Sequence, residues 1–453
     1  MPIFDPLLSG STLSRRLQTP LSAFCLVIVA NLPGLQQVFA NAPLRADTDT
    51  AAMLNAMRDT GGIAGWWTWF TGDWFLRNGF YRPTTCLSLL LDYTLYGESG
   101  WGYRLTNWIL AILTAFGAYL VLLWFSRHWL RHLLAGEAQQ ALFALAGGLA
   151  FSLQQTDSLH WLQPIPAWWW VGLWILWWGR RTFPKEAVGW KLWLRQHGWS
   201  LWLGAGAFFW GWDRLIASEF GRLIVWVPSR TALLSTCLGL WSLWSLIRWG
   251  DRGQGRFLLL ACLLYAGSLG AYEQPLMLII PMLVLVVAMR KRWTWRGWLG
   301  LAVMVAIAFA YVVLRFALLP VSLSGYQMQQ LRSSPMLGML HLLQTLLPVI
   351  SHFRYWLSVG FNPYLFFFKS AWDMLVADFA FVGVVAAIWR SWQWFGWWLL
   401  WQGTTYLPMS LLHPFEHYYY LPQFGQNAVD LALIVGSLWV IQRRLASAAF
   451  EYS

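Results

Sequence analysis

Of 453 residues, 58% are hydrophobic and only 11% are charged, and the net charge is +12. Soluble domains carry about 25% charged residues, so this chain cannot cover a water-facing surface, and a soluble enzyme or a nucleic-acid-binding domain is excluded. The apolar runs are continuous rather than alternating, which excludes a transmembrane barrel and implies an all-α polytopic membrane protein.

Taken in chain order, Arg15 and Arg16 precede the first apolar run, Leu21–Phe39. Ala40-Asn41-Ala42 resembles a signal-peptidase site, but the run is long for a signal peptide, and a retained first crossing is expected. Residues 40–102 form a long outer segment. It holds a Trp-rich stretch (GWWTWFTGDWF) and an apolar one (CLSLLLDYTLYG), both read as helices lying on the membrane surface.

Further crossings are read at Tyr103–Phe125, Gln140–Gln155, Trp161–Trp178, Trp199–Trp212, Leu223–Ile247, Phe257–Ala271, Pro275–Met289 and Trp298–Leu319. A second long outer segment, 320–371, carries an apolar run from Met336 to Ile350 that reads as another interfacial helix. Trp372–Trp389, Trp394–Leu412 and Phe424–Ile441 complete about twelve crossings in one membrane-embedded unit, 1–453.

Most of the 31 basic residues cluster in short segments on one side of these crossings. That pattern places both termini in the cytoplasm. Many of the 37 tryptophans sit at run ends (Trp66, Trp67 and Trp69; Trp168–Trp170; Trp397, Trp398 and Trp401), as an interfacial belt would. The four cysteines are scattered in apolar stretches and suggest neither a disulfide framework nor a zinc site.

The candidate chemistry lies on the outer side. Asp47 and Asp49 fall in RADTDT, and on an extended segment alternate side chains point the same way. Two carboxylates there can act as a general base or hold a divalent cation, or simply belong to a solvated loop. Arg82 precedes an apolar helix. Arg230 lies near the outer end of a crossing, where a cation faces a wet cavity, has a partner or snorkels to the interface. Glu273 occupies an outer turn, in GAYEQP. His413, Glu416 and His417 would share one face of a helix, but Pro414 favours a loop that contacts a polar substrate over a metal site.

Four segments, in order, resemble the glycosyltransferase C superfamily, and among its members the bacterial relatives of the transmembrane O-mannosyltransferases. They are FYRPTTCLSLLLDYTLYGESGWGYRLTNWILAILTAFGAYLV, IVWVPSRTALL, GAYEQPLMLIIPMLVL and HYYYLPQFGQNAVDLAL. The sequence departs from the family in separating its first-loop acids by a Thr and in having Tyr272 before Glu273 where Lys is usual. The repeat domain of larger members has no counterpart here.

The resemblance implies transfer of a sugar, with inversion, from a polyprenyl-phosphate donor to a glycan, lipid or protein hydroxyl in the bacterial cell envelope, at the outer face of the plasma (inner) membrane. It implies Asp47 or Asp49 as base, with the lean toward Asp47. Arg82 and Arg230 become donor-phosphate partners, and Glu273, His413, Glu416, His417 and Tyr419 line the substrate cavity. Two competing readings are a transporter or flippase of lipid-linked sugars, ranked second because the crossings hold few polar residues, and a non-catalytic membrane subunit on the same fold.

Overall fold

The computed structural model describes residues 19–40, 43–134, 136–155, 222–319, 324–331, 391–412 and 415–451, with isolated positions at 204, 208, 215, 339, 342 and 343. The crossings expected at Trp161–Trp178, Trp199–Trp212 and Trp372–Trp389, and most of the run from Met336 to Ile350, lie outside these residues. Among the described residues, all regular structure is helical apart from one isolated bridge, Leu331 to Leu412.

Helix α1 (Pro20–Val38) crosses a tight turn at Leu32–Gly34. The first long segment contributes α2 (Thr48–Asp59), α3 (Trp66–Phe70) and α4 (Pro83–Tyr96). Then follow α5 (Gly100–Trp129), α6 (Glu137–Gln155), α7 (Arg230–Arg252), α8 (Gly255–Ala271), α9 (Ile279–Ala288) and α10 (Arg290–Leu318). A short α11 (Gly325–Gln330), α12 (391–410) and α13 (Tyr420–Glu451) complete the set.

Three of these, α1, α5 and α10, are long and apolar enough to cross a membrane, and α8 and Gln274–Ala288 are shorter apolar helices. The chain is therefore an all-α protein of membrane type. Helix α10 is broken near its start, where Thr294 adopts φ 52°. The crossing expected over Leu223–Ile247 also divides. Pro228 cannot donate to a helix ladder, so a 3-10 turn at Val227–Ser229 intervenes and α7 starts at Arg230.

Helix α5 packs against both α6 and α7, and α7 against α8, with α10 against α7, α8 and α9, and α13 against α6. Helices α5 and α6 approach closely because α6 has glycine where they touch. A Cβ on Gly148 would lie 2.9 Å from the Ala115 carbonyl oxygen. Small residues of this kind let helices in lipid meet backbone to backbone.

Two expectations about the interior are corrected. Trp397, Trp398 and Trp401 are not a belt; each is at most 2% exposed, inside the bundle, whereas Trp66 and Trp67 remain open. Indole can be buried when its N–H is satisfied. Trp397 Nε1 donates to the Pro281 carbonyl (2.8 Å), Trp401 Nε1 to that of Leu421 (3.0 Å), and Trp394 Nε1 to that of Ala428 (3.1 Å). The interior is also more polar than the crossings suggested. Buried Gln402 of α12 bonds to Gln426 and through it to Asp430 of α13, and buried Asn427 of α13 bonds to Gln154 of α6.

Candidate functional site

One end of the bundle gathers the starts of α2, α4 and α13, the end of α8 and the short α11. The fit of α4 on α8 sets its geometry. Thr85 Oγ1 donates to the Ala271 carbonyl (3.0 Å), and Gly270 leaves no room for a Cβ, which would meet Thr84 Oγ1 at 2.4 Å. Arg82, just before α4, is thereby brought to Glu273, just after α8.

The loop that carries Arg82 is pinned from several sides. The Asp73 carboxylate accepts from the Gly79 N–H (2.7 Å) and the Phe80 N–H (3.0 Å). Tyr311 donates to the Tyr81 carbonyl (3.0 Å), and Arg315 to that of Gly79 (3.0 Å).

Arg82 is 7% exposed. Its Nη2 lies 3.1 Å from Glu273 Oε2, and Nε is 3.3 Å from the same oxygen. Three rings surround the guanidinium, with centroids 4.2 Å (Phe80), 4.6 Å (Tyr272) and 4.7 Å (Trp74) from its central carbon. Such contacts hold a cation where water is scarce. Arg82 bonds Glu273 through Nε and Nη2, and Nη1 makes no hydrogen bond among the described residues.

Gln274 fastens the Glu273 turn to α12 and to the start of α13, donating to the carbonyls of Thr405 (2.8 Å) and Tyr418 (2.9 Å). There a 3-10 turn spans Glu416–Tyr419 rather than an open loop. The His417 ring packs 4.5 Å from Tyr418, 5.3 Å from Trp226 and 6.5 Å from Tyr272. Burial, together with the charges of Arg82 and Arg222, pushes its imidazole down to about 3, so it is neutral at physiological pH. Tyr419 stacks on Tyr406, which donates to its hydroxyl (2.8 Å). His413 and the Glu416 side chain lie outside the described residues.

Asp47 and Asp49 are near this cluster, but not on an extended segment. Asp47 caps α2, with Oδ2 accepting from the Thr50 N–H (2.8 Å) and hydroxyl (2.6 Å) and from Trp226 Nε1 (3.2 Å). Helix forms because this cap precedes an apolar stripe, Met53, Leu54 and Met57, that is fully buried. Asp49 falls in the first turn of α2. The residue is open to solvent, yet crowding at its carboxyl, and secondly the Asp47 charge, raises its pKa. Tyr326 of α11 lies within electrostatic reach of both Asp49 and Arg82. Burial and the Asp49 charge push its phenol up while Arg82 opposes.

Arg230 belongs to a different place. It is fully buried, and its Nη2 donates to Asp92 Oδ2 (2.7 Å) and the Tyr103 carbonyl (2.9 Å). Nη1 donates to Ser88 Oγ (2.8 Å), and Nε to Asn107 Oδ1. Asn107 in turn donates to the carbonyls of Leu223 and Ile224, each at 3.2 Å. A cation in an apolar interior needs such partners. Arg230 neither snorkels nor presents itself to a phosphate; it clamps α4, α5 and α7 together.

Sequence reasoning missed Trp74, Trp226, Tyr272, Tyr326 and Arg222 as members of the cluster. Trp226 and Tyr272 lay inside the quoted motifs. Arg222 is exposed, with its guanidinium 6.0 Å from the Trp226 ring. Among the described residues, no group of three or more His, Cys, Asp or Glu side chains is placed to hold a metal ion. No family model, no curated protein and no solved structure matches this chain.

Proposed function

We propose that this chain is a membrane glycosyltransferase that moves a sugar from a polyprenyl-phosphate donor to an acceptor hydroxyl, and that the cluster around Arg82, Glu273, Asp49 and His417 is its active site. The observation that carries this reading is a ring-caged guanidinium within electrostatic reach of a tyrosine that also feels Asp49, a carboxylate of raised pKa, at one end of a membrane-type bundle.

In the transfer, Asp49 takes the proton of the acceptor hydroxyl. The acceptor oxygen bonds to the anomeric carbon as the bond from that carbon to the phosphate oxygen breaks. The lipid phosphate leaves with the bonding electrons, and Arg82 and the exposed Arg222 meet its charge. Attack opposite the leaving group inverts the sugar. Glu273 and the three rings position Arg82. Neutral His417 is suited to hydrogen-bond a sugar hydroxyl. Asp47, held by Thr50 and Trp226, is a positioning residue, so the base assigned here is Asp49 and not Asp47. Arg230 takes no part in the reaction.

The same reading carries the rest of the sequence expectation: about twelve crossings, a bacterial plasma membrane, both termini cytoplasmic, interfacial helices α3 and α4 over an outer site, and a glycan, lipid or protein acceptor. A reporter that is active only outside the cytoplasm should be silent when fused behind residue 453 and active when inserted between α2 and α3. The reverse pattern would invert the topology and put the cluster on the wrong side for this donor.

Transport of lipid-linked sugars is the second reading. The buried polar side chains of α6, α12 and α13 favour it in number, but they bond to one another, Gln402 with Gln426, Gln426 with Asp430, and Gln154 with Asn427. A non-catalytic subunit is the third reading.

Transfer of radiolabelled sugar from polyprenyl-phosphate donors in membranes separates the first reading from the other two. Arg82→Lys keeps the charge but loses the planar fork and the ring contacts. It should slow transfer on the order of 10- to 100-fold, as expected for a lost charge-assisted contact, with unchanged expression. Wild-type rates in this variant, or no transfer by the native chain from any such donor, would remove the assignment.

A further inference from the structure

We infer that the cleft between the end of α1 and the start of α5 is a separate binding site for the phosphate group of an anionic membrane lipid. The cleft has a volume of about 610 Å³, within the usual size for a small-ligand site. Phe39, Leu44, Glu98, Ser99, Trp101 and Arg104 are among its lining residues.

Its polar wall carries Arg104 and Glu98. Arg104, 3% exposed, donates through Nη1 to the carbonyls of Val38 and Ala40 and so closes the end of α1. Its Nη2 lies beside Gly100, where a Cβ would approach to 3.0 Å, so glycine leaves the guanidinium room against the start of α5. The acidic member, Glu98, is already occupied. Arg45 grips it through Nε (2.9 Å) and Nη2 (2.6 Å), and Arg58 reaches the same carboxylate. These bonds pull the Glu98 carboxyl down to about 2, so it stays ionised and taken. Arg45 and Arg58 stand behind Glu98 at the edge of the cleft, and with Arg104 in its lining the three cations outnumber this one carboxylate; the excess positive charge attracts an anion.

The other wall is apolar and open. Phe39 (65% exposed) stacks on Trp101 (42% exposed) with centroids 6.5 Å apart, and Tyr96 follows on Trp101 at 5.1 Å. These rings sit at the ends of α1 and α5, two helices long and apolar enough to span a bilayer. Aromatic rings at such ends mark the boundary between headgroups and hydrocarbon. A molecule with a phosphate and an acyl tail satisfies both walls, whereas a free phosphate satisfies only one. The inference is independent of the transferase reading, because none of the residues assigned to transfer lines this cleft.

Native mass spectrometry of the full chain, with phosphatidylglycerol or zwitterionic phosphatidylcholine added, tests the site. Phosphatidylglycerol should be retained preferentially. One basic residue beside an anionic lipid is worth about five-fold in binding, so Arg45→Gln/Arg58→Gln should retain it at least about five-fold less. Glu98→Gln releases both arginines and should raise retention, a gain that misfolding cannot imitate. Trp101→Ala should weaken retention without altering the charge. Equal retention of the two lipids by the native chain overturns the inference, as does a Glu98→Gln chain that binds no better. Inorganic phosphate alone should not raise the melting temperature; if it protects as well as phosphatidylglycerol, the site takes a free anion and the lipid assignment falls.

Discussion

An Asp49→Asn chain is expected to insert and fold like the native one and to transfer sugar about 10²- to 10⁴-fold more slowly, the usual contribution of a general base. Asn keeps the shape of the side chain and removes the proton acceptor. Folding should not suffer, by the following sign. The carboxyl of Asp49 has a raised pKa in the folded chain, so the folded state binds this proton more tightly than the unfolded one. Stability contributed by the group therefore falls as pH rises through its titration, and at neutral pH the charge is a cost that Asn removes.

The same shift predicts the pH dependence. Transfer should rise with pH along an acid limb shifted upward from that of an ordinary aspartate, and that limb should vanish in Asp49→Asn. Asp47→Asn is the control. An Asn cap still accepts from the Thr50 N–H, so a modest loss is expected. If Asp47→Asn is the dead variant and Asp49→Asn transfers normally, the roles given to the two carboxylates are reversed. If both transfer normally, α2 is not part of the active site.

Arg230→Ala should fail at folding rather than at chemistry. The substitution strands Asp92, which is 4% exposed and holds Arg230 at 2.7 Å, inside the bundle. Breaking a buried pair from one side costs about 3–5 kcal/mol, comparable to a large share of the stability of an ordinary domain. The expected result is a sharp fall in the yield of monodisperse protein and in its melting temperature. Removing both charges, as in Arg230→Met with Asp92→Leu, should recover much of that loss, because the cost lies in the unpaired charge. An Arg230→Ala chain that keeps native yield and stability but transfers no sugar would return Arg230 to the donor phosphate.

Much of the helical class was legible in the sequence, because long uncharged runs leave few alternatives. Arg82 and Glu273 were singled out separately, and they meet because α4 seats its first turn on the end of α8 through Thr85 and Gly270. What could not be read was which cation finds which partner. Arg82 and Arg230 look alike in sequence, each beside a proline or serine at a helix start. Only the tertiary arrangement gives one of them four polar partners and the other a cage of rings.

Helix α2 was a miss of a different kind. The Asp47 cap and the spacing of Met53, Leu54 and Met57 are ordinary helix signals. Read as an alternating pair on an extended segment, the two acids mask these signals. Trp397 and Trp401 were misplaced because end-of-run position says little about an interface once the indole N–H finds a carbonyl inside the bundle; Trp398 is buried there with its N–H unpartnered among the described residues.

Those indoles also fix how two helices are threaded past each other. Trp394 and Trp401 of α12 bond to the carbonyls of Ala428 and Leu421 on α13, so the step from 394 to 401 is matched by the reverse step from 428 to 421. Lipid supplies no hydrophobic drive that tells one sliding position from the next. Two matched bolts do: shifting the antiparallel pair by a single residue unlatches both at once, so the helices lock in one setting or in none.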